Sequence, residues 1–259
     1  MMPLSRRYLL LLPLVVALIA ACGGDDDDAA TPAPSESAQP SEAATLDPIR
    51  SQLVSVLLTE DDVPQGLQAG GLAFSSNEDM AGPSVEELLR LAEIGRLMGV
   101  DLTFIPTSAL AEDSPVRGGI QNSASVYGDA LGASQSFQET AAEVRLTDWG
   151  PSYKDLTGLG VNEIDRQIGD ESIWIRITGF DQCTEVTPPG ASPGTTPSET
   201  CPPTRLITDD FVIFRVGRVR SLIKVLSAHD QFSPLEVFLD QVESWAQTVV
   251  ENARDSYGF

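Results

Sequence analysis

Few residues in this chain are of the types that do chemistry. It has three cysteines, Cys22, Cys183 and Cys201, and one histidine, His229, within Ser227-Ala228-His229-Asp230. A histidine can serve as base to a serine, but a hydrolytic serine needs a strained turn beside that base. No Gly-x-Ser-x-Gly elbow occurs. His229 is expected in the connection between the last strand and the last helix, as a surface turn residue. Two cysteines and one distant histidine lack a metal ligand set, so no metal and no cofactor is expected. Acidic neighbours abound, as in Glu60-Asp61-Asp62, Asp170-Glu171 and Asp209-Asp210. With 38 acidic residues such adjacency arises by chance, and Asp209-Asp210 reads as turn chemistry ahead of a strand. Gly158-Leu159-Gly160 lacks the phosphate-loop pattern, and Asp25 to Asp28 lack calcium-loop spacing. No residue is assigned a catalytic role, and the chain is expected not to be an enzyme.

Binding chemistry is better represented. Tyr127, Trp149, Tyr153, Trp174 and Phe180 lie outside the clear helices, and Trp149-Gly150-Pro151-Ser152-Tyr153 sits in an expected loop. Rigid, amphipathic rings on loops make good contact groups. Trp149, Tyr153 and Trp174 are therefore the candidate ligand-binding residues. The competing expectation is that such rings plug the open end of a sheet.

The start of the chain carries an address. Arg6 and Arg7 precede an apolar run of 13 residues, Leu9 to Ala21, interrupted only by Pro13. A membrane-spanning helix needs roughly 20 apolar residues. This run fits the hydrophobic segment of a signal peptide. It ends in Ile19-Ala20-Ala21-Cys22, which resembles the lipobox of bacterial lipoproteins. The resemblance implies a diacylglyceryl thioether on Cys22, cleavage before it, and an exported domain held to the cell membrane by lipid. Two acyl chains suffice for stable anchoring. Ser5-Arg6-Arg7 is also similar to a twin-arginine signal, but the greasy run after it favours the general secretory route.

Residues 22–45 follow as a tether. Gly23-Gly24 and Asp25 to Asp28 lead into Ala, Thr, Pro, Ser and Glu, a composition that cannot bury enough surface to offset its ordering entropy. As a coil, this stretch spans roughly 25–30 Å. With Cys22 lipidated, Cys183 and Cys201 form an even pair in an exported chain, which reads as a disulfide. It would close a Pro-, Gly- and Ser-rich loop and contribute about 3 kcal/mol through chain entropy.

Residues 46–259 make one domain with a substantial core. The chain carries 16 basic and 38 acidic residues, a net charge of −22. Removing residues 1–21, which hold Arg6, Arg7 and no acid, leaves 14 basic residues and −24. Such a surface repels phosphate backbones, so no nucleic-acid partner is expected.

Several elements can be placed by pattern. Leu235, Phe238, Leu239, Val242, Trp245, Ala246, Val249 and Val250 form a helical stripe after the cap Ser233-Pro234-Leu235-Glu236. A helix with a capping box at Ser84 and Glu87 is expected to run to about Gly99. Others are expected from Asp129 to Arg145 and near Pro48–Leu58. Ile173, Ile175 and Ile177 alternate with Trp174, Arg176 and Thr178, a strand period. Phe211 to Val216 and Val219 to Leu226 flank Gly217-Arg218, a hairpin signal. Weaker strands are expected over 67–76, 100–106 and 118–127. Strands in hairpins followed by a long C-terminal helix predict an α+β fold, an antiparallel sheet with helices on one face.

Two segments carry a second resemblance. Leu57-Leu58-Thr59-Glu60-Asp61-Asp62-Val63-Pro64-Gln65-Gly66 resembles a segment near the start of many bacterial lipoprotein domains. Phe214-Arg215-Val216-Gly217-Arg218-Val219, followed by the last helix, is similar to the end of extracytoplasmic sensor-type domains. Some of these lie outside bacterial serine/threonine kinases. The resemblance implies an α+β domain with a groove and no established catalytic residues. It implies a non-enzymatic, sensor-like module that binds a small apolar ligand or an envelope protein. The alternatives from other classes are a lipid or hydrophobic-molecule carrier, an envelope hydrolase, and a structural assembly protein.

Overall fold

The computed structural model describes residues 43–111, 114–181, 205–229 and 235–259. Cys22, Cys183, Cys201, the signal segment and the cap at Ser233-Pro234 lie outside the described residues.

Seven strands build one antiparallel sheet: β1 (Leu67–Ser75), β2 (Arg96–Pro106), β3 (Val116–Tyr127), β4 (Leu156–Glu163), β5 (Glu171–Asp181), β6 (Leu206–Val216) and β7 (Val219–His229). Their order is β1-β2-β3-β7-β6-β5-β4. It consists of two meanders joined side by side where β3 pairs with β7. The helices are α1 (Ala43–Val56), α2 (Asn77–Ala81), α3 (Val85–Glu93), α4 (Ala130–Leu146) and α5 (Leu235–Tyr257). Between α4 and β4 lies a single 3-10 turn, Gly150–Tyr153.

The α+β architecture with a long C-terminal helix is as expected, but helices cover both faces of the sheet instead of one. On the first face, α1 and α5 pack over the larger core: Val100, Phe104, Ile120, Trp174, Val212, Phe214, Ile223 and Val225 meet Leu53, Phe238, Val242, Trp245 and Val249. On the second, Phe137 and Ala141 of α4 cover Ile173, Ile175, Ile177 and Ile213. Beside them Leu91, Ile94 and Ala81 of the α2–α3 region close over Tyr127 and Ala133. The chain leaves the middle of the sheet at β3, crosses the second face as α4 and re-enters at the outer edge as β4. The second face is thus covered by α4 with the short α2 and α3 beside it, and the first by α1 and α5.

Local chemistry explains most element ends. Asp129 caps α4 by accepting from Gly132 N at 2.8 Å. Ser84 caps α3 by accepting from Glu87 N, but only that half of the capping box is made, because the Glu87 carboxylate pairs with Arg90. The full box belongs to α2, between Ser76 and Asp79. Helix α3 ends at Glu93, short of Gly99. Gly95 adopts φ 66°, a left-handed conformation that stops a helix, and the β2 ladder then begins at Arg96. Gly217, at φ 53°, makes the two-residue turn between Val216 and Val219. The helix expected from Pro48 starts earlier, at Ala43, with Pro48 inside it. No helix among the described residues is long and apolar enough to cross a membrane, which says nothing of a β-barrel.

Candidate functional site

At the end of the second face the C-terminal turn of α4 stands over the edge strand β4. The two leave a cleft of about 440 Å³ lined by Val144, Arg145, Trp149, Leu159, Val161 and Ile175 among others. This falls in the range of small-molecule sites, about 300–1,000 Å³. Among the described residues β4 is the edge strand of the sheet, and its Leu159 and Val161, which form the wall on the sheet side, are 37% and 47% exposed. Arg145 and Glu163 pair across the rim, with Arg145 Nη2 donating to Glu163 Oε1 at 2.7 Å. That contact holds the Glu163 carboxyl below its usual range. The chemistry offered is an apolar floor with one tryptophan face and a charged rim.

Behind Trp149 lies an aromatic and charged cluster. Trp149 packs on Phe211 with ring centroids 5.1 Å apart and lies 6.4 Å from Tyr153. Tyr153 Oη donates to Asp209 Oδ2 at 2.5 Å. Lys224 Nζ lies 3.4 Å from the same oxygen and 4.9 Å from the centre of the Phe211 ring. Asp209 is 3% exposed. Burial pushes its carboxyl above the ordinary carboxylate range despite the nearby Lys224 ammonium. Burial, then the Asp209 charge, pushes the Tyr153 phenol up as well. The Asp209 Oδ1 atom is buried without a hydrogen-bond partner.

Of the three candidate aromatics, the structure brings Trp149 and Tyr153 together on this face, both half-buried. They plug the end of the second core cluster, and Trp149 also lines the cleft. Trp174 is a correction. It is fully buried on the first face, where its indole Nε1 donates to Asp210 Oδ1 at 2.7 Å, so it has no surface to offer a ligand.

Two further corrections concern charged residues. Asp209 and Asp210 are not turn residues, since both lie within β6 and are buried, one on each face. Asp210 receives Arg176 Nε and Nη2 at 2.8 and 2.9 Å in a buried bidentate pair. His229 is not a surface turn residue either. It ends β7, is buried, and packs edge-on against Phe238 at 4.9 Å. Its Nε2 lies 2.8 Å from Ser227 Oγ, which also hydrogen-bonds Thr208. The signal for all three was parity. Val219, Ser221, Ile223 and Val225 point to the first face, and the same alternation carries Ser227 and His229 inside. Among the described residues no cluster of three metal-ligating side chains occurs.

No protein-family model matches the chain, and no curated protein matches it in sequence. Among solved structures it is similar to the extracellular domain of PknH from Mycobacterium tuberculosis. That likeness has 11% identity, covers 79% of this chain and 96% of the other, and has a TM-score of 0.40. It is also similar to the human StarD13 (DLC2) lipid transfer and protein localization domain, at 9% identity over 61% and 84% of the two chains, with a TM-score of 0.19. Shared ligands do not follow from likeness at this level.

Proposed function

We propose that this protein is an exported lipoprotein, anchored to the membrane through Cys22, whose domain is a non-enzymatic, sensor-like binding module. The observation that carries the binding role is the cleft beside α4, with Trp149 against an apolar edge-strand wall. An uncovered aliphatic wall beside a rigid indole suits a small apolar ligand or an apolar side chain of an envelope protein. A hydrophobic-molecule carrier is a variant of this reading, in which the same cleft holds its cargo between membranes.

Native mass spectrometry of the full chain from an exporting host tests the binding role. The expected result is a discrete added mass that disappears on denaturation and is absent from a Val161→Lys variant. An apo mass in both proteins removes the small-ligand form of the reading. Cys22→Ser should release the processed protein from the membrane fraction. If the processed variant stays membrane-bound, the lipid anchor is wrong.

One observation favours an envelope hydrolase instead, the 2.8 Å contact between Ser227 Oγ and His229 Nε2. Both groups are buried, and the His229 ring packs edge-on against Phe238. A fluorophosphonate probe that labels the wild type and not Ser227→Ala would establish that reading. Absence of labelling sends the contact back to a structural role.

A further inference from the structure

The second face holds two guanidinium groups, Arg96 and Arg220, whose hydrogen bonds among the described residues all go to neutral acceptors, with the Asp101 carboxylate acting on both from beyond salt-bridge distance. Arg96 is 3% exposed. Its Nη1 donates to Asn77 Oδ1 at 3.0 Å and its Nη2 to Ser75 Oγ at 2.8 Å, both neutral acceptors. Its Nε is buried with no partner. Arg220 donates through Nη1 to Ser136 Oγ and Thr140 Oγ1 at 2.9 and 2.6 Å, again neutral. Other cations of the domain, such as Arg90, Arg145, Arg166, Arg176 and Arg215, do have carboxylate partners. Burying a cation costs far more than burying a neutral group unless an anion accompanies it. Arg96 is buried and Arg220 half-buried, so direct anionic contact is missing at the first and only partly replaced by solvent at the second.

Ser75, Gly99, Ser125 and Arg220 stand in lateral register across β1, β2, β3 and β7. The Arg96 guanidinium lies over Gly99, where an added Cβ would meet Arg96 Nη2 at 2.3 Å, Ser75 Oγ at 2.8 Å and Ser125 Oγ at 3.0 Å. Between this row and α4 is a cavity of about 70 Å³, lined by Ser123, Ser125, Thr140, Arg220, Ser221 and Leu222 among others. A single water needs about 10–15 Å³ on this scale, so the space suits several waters or one tetrahedral oxyanion. Guanidinium forks and hydroxyls are the donor set that oxyanions require. Other titratable groups act at this site. Asp101, paired opposite Ser123, accepts from Gln121, and burial pushes its carboxyl up. Asp79 is held by Ser76 at the α2 cap, and the Tyr127 hydroxyl donates to Ser136.

We propose that Arg96 and Arg220, with the serines between them, form a binding site for a tetrahedral oxyanion of the phosphate class, free or as the end group of a larger molecule. The site is separate from the Trp149 cleft and stands or falls without it.

Thermal unfolding of the full chain in inorganic phosphate, against sodium chloride at matched ionic strength, tests the proposal. Phosphate also stabilises proteins generally by exclusion from their surface, so saturation and dependence on the site decide. A saturable rise in Tm is expected. Arg220→Gln should weaken it by about tenfold or more, as loss of a charge-assisted contact does. Ser123→Val, which fills the cavity and touches neither arginine, should abolish it. Val161→Lys should leave it unchanged. Glycerol 3-phosphate saturating at lower concentration than phosphate would mark the natural ligand as an end group, and the reverse order a free anion. A non-saturating rise, or an equal rise in Arg220→Gln and Ser123→Val, would overturn the site.

Discussion

The two faces of the sheet use the same strands and differ in everything above them. The first is covered by α1 and the 23-residue α5, and its cluster of buried apolar side chains is continuous from Leu53 to Ala253. The second is covered mainly by α4, and its apolar residues split into two clusters, around Phe137 and around Leu91. Buried polar groups occur on both faces; on the first, Asp210 accepts from Arg176 and Trp174, while Arg176 Nη1 is buried without a partner. On the second lie the Trp149 cleft, the small cavity beside Arg220, the half-buried Trp149 and Tyr153, and the buried Arg96. In this domain one face is filled by a single continuous core, and the other keeps open space beside its helices.

The largest expected effect that sharpens this contrast is at Asp210. Asp210→Ala leaves the Arg176 guanidinium buried without its anion, and should cost about 3–5 kcal/mol in urea unfolding. A loss under 1 kcal/mol would mean that water reaches the first face. Trp245→Ala removes a large core side chain and the bond from its Nε1 to Asp62 O at 2.9 Å, and should cost about 3–4 kcal/mol. Trp149→Ala on the other face should cost about 1 kcal/mol or less, since that ring is only half-buried. Equal losses at the two tryptophans would erase the distinction between the faces.

The second face should also show in pH dependence. Asp101 and Asp209 both have folded-state pKa values raised above the ordinary 3.8, mainly by burial. Above 3.8 the unfolded chain gives up these protons first, so the native state holds more of them. Stability from these two groups is then lost as pH rises from 3.8 through the raised values. The double variant Asp101→Asn, Asp209→Asn should flatten that fall in a Tm-against-pH series. If the slope is unchanged, other groups produce it. The smallest effect is at the rim. Arg145→Ala breaks an exposed pair with Glu163 and should change stability by about 0–1 kcal/mol, measured by the same urea titration.

Parts of this picture were legible in residue order alone. The stripe from Phe238 to Val250 predicts α5 because burial at helical spacing is a local signal, and Gly217 predicts the β6–β7 turn because few other residues tolerate its φ. Edge strand β4 was missed. Its sequence, Leu156-Thr157-Gly158-Leu159-Gly160-Val161, carries two glycines and a bulge between Thr157 and Gly160, so it shows no clean alternation. The start of β6 and the end of β7 escape the pattern because their inward positions there are polar. Asp210 and His229 look like turn residues until the neighbouring strands supply the partners that let them be buried. Trp149 and Tyr153 could be singled out as loop aromatics, but Asp209, Lys224 and Phe211, which receive them, come from strands some 60 or more residues further on.

By itself the sequence carried what short-range physics can set: an apolar run of 13 residues, a cysteine in a lipobox-like setting, a net charge of −22, and the long last helix. Only the tertiary structure decided which polar residues are inside and which surfaces stay open. Those outcomes depend on sheet order, on which face each helix crosses, and on register between strands far apart in the chain. Ser75, Gly99, Ser125 and Arg220 stand in one row because three antiparallel pairings align them, and no spacing along the chain encodes that.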